Sequence, residues 1–431
     1  MARPLNHRWP SRAIAAKWLA ITLILLTFIG LRGDTIAMSR TQEVSAVYAY
    51  DLVGWHLVNL HSKWTHWLRR VVPGFKVTDS ERLRALAMYF KLGEEIRQLT
   101  AKIGSASAGG DSNALVEKLE DRLNQVRNTR ASIRNDVEEA IESEISTVVR
   151  EQRLGLVGKM VFPPVDVRLE EPPMVLVTSP RDRIQRLDDV LLEADMTIQA
   201  RERIEKRIVN EQDLSALVLE IGGVATYPAS VHSGVDLRNT LRLAAHEWVH
   251  HYLFLRPLGR DPYRSAELMA LNETVAGIAG DEIGDLAYSA MQSRAPPSRS
   301  TSHEAARDFH AADLTEHTEI DFGSLMRETR VTVGRLLADG EIERAEAYME
   351  DQRKALTESG HPIRKLNQAY FAFYGTYAHG PASVDPIGPL VLRLRELSAD
   401  VGEFLSLAGS ITSYEDLRKL LREIEISGGQ S

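Results

Sequence analysis

The chain has 431 residues, of which 44% are hydrophobic and 26% are charged, a balance that is typical of a globular protein and excludes an intrinsically disordered one. It contains no cysteine, so disulfide bonds, thiolate nucleophiles and cysteine-held metal sites are excluded, and any metal ion must be bound by His, Asp or Glu. Asp and Glu number 60 against 52 for Lys and Arg, and the resulting net charge of −8 argues against a nucleic-acid partner.

The N-terminus has the pattern of an export signal. Three arginines in the first 12 residues precede an uncharged apolar run at residues 18–31, and basic residues before an apolar core are typical of such signals. Counted from Ala13, the segment is long enough to cross a bilayer. We expect residues 1–33 to be an uncleaved signal anchor, which gives a single-pass protein of the cell membrane whose remaining residues are extracytoplasmic. Cleavage near residues 35–37, which would give a secreted protein, and a buried core helix are the alternatives.

Residues 34–155 are predicted to be a helical region. The first part, residues 41–72, carries three tryptophans at helical spacing, which favours a helix packed in the core, with an amphipathic helix at the membrane surface as the alternative. A second helix is predicted over residues 79–103 and a loop over residues 104–113. Apolar residues then recur at alternating steps of four and three, which predicts a long helix as the second arm of a helical hairpin: Leu119, Leu123, Val126, Ile133, Val137 and Ala140.

Residues 156–431 are predicted to be a separate domain. Two proline pairs bracket short strand-like runs at residues 165–170 and 174–178, and a helix is predicted over residues 184–210. Two apolar runs then flank a Gly-Gly turn in a predicted hairpin at residues 215–231, which could bind an extended substrate along its edge. Together with the helical patterns around them, these runs predict a mostly α protein with a small β-sheet, an α+β fold.

An HExxH motif follows the predicted hairpin directly. Asp236 is a candidate N-cap for a helix in which His246 and His250 are about one turn apart, on one side, where both can bind one zinc ion. Glu247 lies beside them on the same flank, where it can act as the general base for a zinc-bound water. We expect His251 to be structural, because it is rotated by about 100° from His250.

A catalytic zinc site of this kind needs a third protein ligand. Leu253 and Arg256 occupy the positions where a metzincin has Gly and His, which excludes that class. Glu273 lies 23 residues after His250, a connection long enough for one loop and the first turns of an antiparallel helix. We therefore expect Glu273 to be the third ligand, as in the gluzincin arrangement. The competing carboxylates are Glu267, Asp281 and Glu282.

The zinc motif and the helix after it resemble those of the gluzincin zinc metallopeptidases, the clan of thermolysin and the aminopeptidases. The sequence HEWVHHYL, followed by LNETVAGIAGDE, is most similar to a group of bacterial predicted aminopeptidases, and the likeness covers roughly residues 214–425, with a looser match at residues 366–397. The resemblance implies that one Zn²⁺ ion is bound by three ligands, His246, His250 and Glu273. It also implies that Glu247 is the general base.

The same resemblance implies that Tyr377 stabilises the tetrahedral oxyanion, with Tyr374 and His379 as alternatives. An aromatic residue packed in the core is the other interpretation of Tyr377. The sequence departs from the family pattern at Gly277, where thermolysin-like enzymes have an Asp. It departs again at residues 220–223, which do not match the stretch that grips the substrate's amino terminus in the well-studied aminopeptidases.

Three further histidines, His303, His310 and His317, recur every seven residues. Seven residues of helix rise by about 10.5 Å, which is too far for imidazoles to share one ion. We therefore predict a solvated helix face for this segment and no second metal site.

The sequence thus predicts a membrane-anchored zinc peptidase that hydrolyses peptide or protein substrates by Glu247-assisted attack of zinc-bound water. Aminopeptidase activity is the option that the resemblance adds. The alternative is a noncatalytic membrane-anchored helical scaffold or interaction protein with a structural or vestigial metal site. An intramembrane protease is excluded, because only one apolar segment has a spanning length.

Overall fold

The computed structural model of the chain describes residues 38–56, 58–59, 79–109, 113–157, 160–294, 322–378 and 380–428. Residue contacts divide the chain into a short unit, Met1–Glu43, and a large unit, Val44–Ser431. In the short unit, residues 38–43 are described, and they include the start of helix α1 (Arg40–Ser45). The remaining elements lie in the large unit.

Helices dominate the described residues, as the sequence predicts. After α1, the α-helices are α2 (Asp79–Gly109), α3 (Asn113–Glu151), α4 (Ile198–Gln212), α5 (Leu237–Phe254), α6 (Ala266–Arg294), α7 (Phe322–Ala338), α8 (Ile342–Glu358), α9 (Gln368–Tyr374), α10 (Ile387–Leu397), α11 (Val401–Ala408) and α12 (Tyr414–Gly428). Short 3-10 helices cover Ala46–Tyr48, Pro257–Gly259 and Pro262–Arg264.

The strands are short and form small sheets, so the predicted α+β class is confirmed. β1 (Leu156–Val157) and β2 (Met160–Val161) form a two-stranded pair. In the second sheet, β8 (Ala229–His232) lies between β3 (Val167–Glu170), to which it is parallel, and β7 (Gly223–Val224), to which it is antiparallel. In the third sheet, β4 (Met174–Pro180) lies between β5 (Asp189–Leu192) and β6 (Leu214–Leu219), antiparallel to both.

Within the described part of the chain, no helix is both long and apolar enough to cross a membrane. The predicted signal anchor at residues 1–33 lies outside the described residues, as do Trp64 and Trp67. Trp55 is described, and its indole Nε1 donates a hydrogen bond of 2.7 Å to the Glu170 carboxylate at the end of β3. This tryptophan is therefore hydrogen-bonded to the second sheet.

The predicted helical hairpin is confirmed, with a shorter connection than expected. α2 continues to Gly109, so the predicted loop over residues 104–113 is helical in its first part, where serines and alanines continue the helix. Ion pairs between the two arms show that they run antiparallel: Glu95 with Arg122, and Glu139 with Arg82.

The second arm of the hairpin joins the same core as the HExxH helix. Glu138 and Glu142, one turn apart on α3, accept hydrogen bonds from the backbone N–H groups of Leu169 (2.9 Å) and Val167 (3.0 Å) in β3. The spacing of the two carboxylates, one helical turn, thus matches the spacing of alternate N–H groups along β3. Because β3 is an edge strand, these N–H groups would otherwise have no partner within the sheet. Apolar residues of the same half of α3 pack in one hydrophobic core with α5 and α6.

Two predictions for residues 184–231 are wrong, one about strand pairing and one about where a helix begins. Residues 215–231 do not form one hairpin, because β6 pairs with β4 in one sheet while β7 pairs with β8 in another. The predicted helix over residues 184–210 begins only at Ile198, after Thr197, whose hydroxyl accepts a hydrogen bond of 3.2 Å from the Ala200 N–H as an N-cap. Residues 189–192 form β5 instead. A short apolar run does not show which strand it pairs with. It also does not distinguish a strand from a helix.

Candidate metal centre

The HExxH motif lies on α5, as predicted. The helix begins after Asp236, whose carboxylate accepts a hydrogen bond of 3.0 Å from the Asn239 N–H and so caps the first turn. His246 and His250 point to the same side of the helix, toward α6, and their rings meet edge to face with centroids 4.7 Å apart. The α5 helix therefore supplies both imidazoles from one rigid element.

α5 and α6 approach each other at backbone distance. Gly280 and Gly284, one turn apart on α6, lie against His246 and Arg242, one turn apart on α5. A Cβ at Gly280 would be 2.7 Å from the His246 Cα, and a Cβ at Gly284 would be 2.5 Å from the Arg242 Cα. Because real Cβ atoms do not approach backbone so closely, only glycine fits at either position. This close approach brings Glu273, about two turns before Gly280, to the imidazoles.

His246, His250 and Glu273 form a compact triangle. The two Nε2 atoms are 3.0 Å apart, and each is 3.7 Å from Oε2 of Glu273. Two imidazole nitrogens bound to one tetrahedral zinc ion at about 2.0–2.1 Å would be about 3.3 Å apart. The triangle therefore has the size and the donor atoms that a zinc ion requires, and these three side chains fit the metal that the sequence predicts.

Asn272 orients the second histidine. Its Oδ1 lies 2.8 Å from Nδ1 of His250, and because an amide oxygen can only accept, Nδ1 carries the proton in the neutral ring. The lone pair of Nε2 then points into the triangle. Metal-binding histidines are commonly held in this way through their other ring nitrogen. Asn272, the neighbour of Glu273 in sequence, thus supports His250, the candidate ligand on the opposite helix.

Without a metal, the triangle behaves as an ion pair. Burial opposes the charged form of His250, but the Glu273 carboxylate outweighs it and raises the pKa of His250 to about 9. Burial likewise opposes ionisation of Glu273, yet His250, His246 and Arg186 together lower its pKa to about 2. A negative ligand and a protonated imidazole therefore occupy the position where a cation would bind.

Glu247 is a buried carboxylate outside the ligand triangle. It is 5% exposed, and burial raises its pKa to about 8, with the charge on His250 opposing the rise and that on Glu273 adding to it. It faces β7, where a Cβ on Gly223 would be 2.5 Å from its Oε1. The glycine therefore lets the edge strand β7 approach the carboxylate.

Tyr377 lies in the turn that follows α9. The N–H group of the next residue, Ala378, donates a hydrogen bond of 3.0 Å to the Thr274 hydroxyl, so the turn is tied to α6 beside Glu273. Burial raises the pKa of Tyr377 well above its ordinary value, and the charges of Glu273 and Glu247 add to the rise. The phenol is therefore protonated at neutral pH, and it lies within electrostatic range of both carboxylates.

The competing carboxylates have other partners or are exposed. Glu282 accepts two hydrogen bonds from Arg395 on α10, at 2.6 and 2.7 Å. Asp281 lies 4.0 Å from Arg242 on α5, and Glu267 is exposed in the first turn of α6. Among the residues that the structure describes, the three side chains of the triangle form the one group with metal-binding spacing.

The remaining candidate residues have other partners or are not described. His251 faces the second sheet, where its Nε2 donates a hydrogen bond of 2.8 Å to the Thr226 carbonyl and burial lowers its pKa. Tyr374 stacks at a tilt on Tyr370, with ring centroids 4.5 Å apart. His379 lies outside the described residues, as do His303, His310 and His317.

Four features of the site were not among the sequence-based candidates: Asn272, Arg186, the glycine pair of α6, and Gly223. The glycine pair could have been found, because a four-residue spacing of glycines on a helix is a known sign of close helix packing. Asn272 precedes Glu273 directly and could have been suspected as a support. No sequence pattern pointed to Arg186, which lies 60 residues before His246.

No family model matches the chain, and neither a curated protein nor a solved structure matches it.

Proposed function

We propose that the protein is a zinc-dependent peptidase of the gluzincin type, in which His246, His250 and Glu273 bind the metal ion. The observation that carries this proposal is the ligand triangle beside Glu247, a buried carboxylate that is not one of the ligands. A structural zinc site is commonly closed by four protein ligands and needs no such base, which counts against the noncatalytic scaffold. When bound, a zinc ion supplies Lewis acidity, which lowers the pKa of water to about 7 and polarises a carbonyl.

Glu247 is the proposed general base. It accepts a proton from the attacking water and passes that proton to the amine that leaves when the peptide bond breaks. A carboxylate serves this purpose best when its pKa lies near the working pH, and burial raises the pKa of Glu247 to about 8. The raised pKa therefore supports a group that both takes and returns a proton.

Tyr377 is the proposed hydrogen-bond donor to the oxyanion. Such a donor must keep its proton, and burial together with the Glu273 charge raises its pKa well above the ordinary value for tyrosine. Donors that are already in place before charge develops stabilise it without reorganisation. The tie between Ala378 and Thr274 favours such a fixed position.

Strand β7 is the proposed binding edge for an extended peptide. It is the outer strand of the β3–β8–β7 sheet, and Gly223 lies against Glu247. An added peptide strand binds mainly through backbone hydrogen bonds, so it can be accepted with little dependence on sequence. This replaces the hairpin at residues 215–231 as the substrate edge, because the outer edge of β6 is occupied. There, Glu205 accepts a hydrogen bond from the Val218 N–H, and Arg364 donates one to the Val218 carbonyl.

The test is metal content together with peptide hydrolysis by the purified full-length chain. We expect one zinc ion per chain, cleavage of a mixed peptide pool, loss of cleavage with a chelator and recovery on adding zinc. Mapping the cleaved bonds then separates release of N-terminal residues from internal cleavage. Stoichiometric zinc with no cleavage of any peptide or unfolded protein would favour the scaffold instead.

We also propose that the catalytic residues act outside the cytoplasm, tethered by residues 1–33. This part of the proposal depends on the sequence pattern alone: basic residues followed by an apolar run. An enzyme reporter fused after Ser431 should be active only outside the cytoplasm. Deletion of residues 1–33 should release the protein from the membrane fraction, and activity of the reporter in the cytoplasm would overturn the assignment.

A further inference from the structure

We propose that Arg186 is a positioning residue that holds the Tyr377 turn against the ligand triangle. The inference deepens the proposed function and rests on it, since Tyr377 has a role in catalysis only if the site hydrolyses peptides. The Arg186 side chain links the third sheet to the turn after α9.

On one side, the guanidinium of Arg186 is fixed to the sheet. Its Nε donates a hydrogen bond of 2.9 Å to Oδ1 of Asp189, and its Nη2 donates one of 2.5 Å to Oδ2. Asp189 is the first residue of β5 and is aligned with Val177 of β4. A two-point contact with a planar fork fixes orientation as well as distance, so the sheet determines where the rest of the guanidinium points.

On the other side, the same guanidinium contacts the Tyr377 turn. Nη1 lies 3.4 Å from the Thr376 hydroxyl, and Cζ lies 4.8 Å from the centre of the Phe373 ring, over its face. The Phe373 ring in turn meets the Tyr377 ring with centroids 6.0 Å apart at 64°. Arg186 thus touches the residue before Tyr377 and the aromatic ring against which Tyr377 packs.

The environment makes this link costly to remove. The Arg186 side chain is 15% exposed, and a cation withdrawn from water must be paired to be tolerated. Asp189 pairs with it directly, and the charge of Glu273 also acts on it. Backbone pairing with β4 already aligns β5, so the pair between Asp189 and Arg186 is not needed for that purpose. The pair instead directs a charged group toward the turn that carries Tyr377.

The first test is amide hydrogen exchange of the segment 373–378, measured by mass spectrometry, which needs no activity. Arg186→Gln removes both the planar guanidinium and its charge. We expect amide exchange in this segment to be at least about tenfold faster, because local opening becomes easier. Arg186→Lys keeps the charge but not the fork, so it should not restore protection. Arg183→Gln is the matched control, because Arg183 lies on the same loop, is 57% exposed and pairs with Asp182.

The second test separates kcat from KM on a peptide that the wild type cleaves. Because a displaced oxyanion donor weakens only transition-state binding, Arg186→Gln and Arg186→Lys should lower kcat by about 10–100-fold and leave KM within about twofold. Zinc content measured with excess zinc should be unchanged in both, since His246, His250 and Glu273 are all retained. If Arg186→Gln does not fold, as judged by its thermal transition, Asp189→Asn removes the anchor and should give the same two results.

The outcomes are distinguishable. Unchanged exchange in the folded variants would overturn the inference. Faster exchange with an unchanged kcat would also overturn it, because the turn would then be ordered for no catalytic purpose. If the wild type cleaves no peptide while the variants still exchange faster, the proposed function fails but the link between Arg186 and the turn is supported.

Discussion

Gly280 lies directly against His246: a Cβ at position 280 would be 2.7 Å from the His246 Cα and 2.8 Å from its backbone nitrogen. The contact is between the backbones of two helices, so neither partner can move aside as a flexible side chain would. It sets the distance between α5, which carries two candidate ligands, and α6, which carries the third. The candidate metal centre therefore depends on a residue that is not one of the candidate ligands.

The first prediction is that Gly280→Ala weakens both metal binding and the fold. The added methyl group must push α6 away from α5, and overpacking of this kind typically costs about 1–3 kcal/mol. Zinc titration and thermal unfolding should both show the loss. Gly104→Ala is the matched control: Gly104 is also in a helix, but its Cβ would meet nothing within 4 Å. It should raise stability by up to about 1 kcal/mol. Equal effects of the two substitutions would contradict the packing argument.

The second prediction concerns the base. Glu247→Gln keeps the shape of the side chain and all three ligands, so zinc content should remain at the wild-type level. Peptide hydrolysis should fall by about 10²–10⁴-fold, the usual contribution of a general base. Glu267→Gln makes the same chemical change at an exposed position in the first turn of α6 and should leave kcat unchanged. Full activity of Glu247→Gln would exclude the proposed mechanism.

The HExxH part of the site could be predicted because all of its information is local. A helix period alone places His246 and His250 on one side, and the structure has them there with Nε2 atoms 3.0 Å apart. The prediction of Glu273 required one further assumption, that a second helix returns antiparallel to the first after a loop. The position of Glu273 beside both imidazoles agrees with that assumption. The proximity of Tyr377 to the carboxylates followed only from a family resemblance, since no local rule connects it with α5.

What could not be predicted depends on contacts between distant segments. Residues 220–222 connect β6, which belongs to the third sheet, to β7, which belongs to the second sheet. An apolar run looks the same whichever strand it pairs with. The Arg186 contact with Thr376 joins residues 190 positions apart. The helix and strand periodicities of a sequence give no information about contacts between such distant residues. Local chemistry was thus predictable, while the surroundings that orient it were not.

The third prediction tests the third ligand. Glu273→Ala leaves two histidines, and a two-ligand site should lose zinc readily to a chelator. Glu282→Ala is the matched control, because Glu282 is on the same helix but pairs with Arg395 at 2.6 Å. It should keep its zinc, with a change in thermal stability alone. If Glu273→Ala retains zinc and Glu282→Ala loses it, Glu282 and not Glu273 is the third ligand.

The fourth prediction concerns the support of His250. Asn272→Ala removes the oxygen that holds Nδ1 at 2.8 Å, so the ring is free to turn and its tautomer is no longer selected. We expect zinc affinity to fall by about 10–100-fold, the usual range when such a support is lost. The dissociation constant can be measured by competition with a chelating dye. Because Asn272 is buried, the thermal transition of the metal-free variant serves as the control for misfolding.

The last prediction is that zinc affinity rises with pH between about 7 and 9. In the metal-free site the Glu273 carboxylate outweighs burial and raises the pKa of His250 to about 9, against an ordinary value of 6.5. A raised pKa means that the proton is held more tightly in the folded protein, so it must be displaced by zinc at any pH below 9. One displaced proton changes the affinity by about tenfold per pH unit below pH 9, with stronger binding at higher pH, and ionisation of a zinc-bound water adds to the rise. Calorimetry in buffers of different ionisation enthalpy should detect at least one proton released when zinc binds at pH 7. Affinity that is independent of pH between 7 and 9, with no proton released, would show that His250 is already neutral and that the ion pair with Glu273 does not exist in solution.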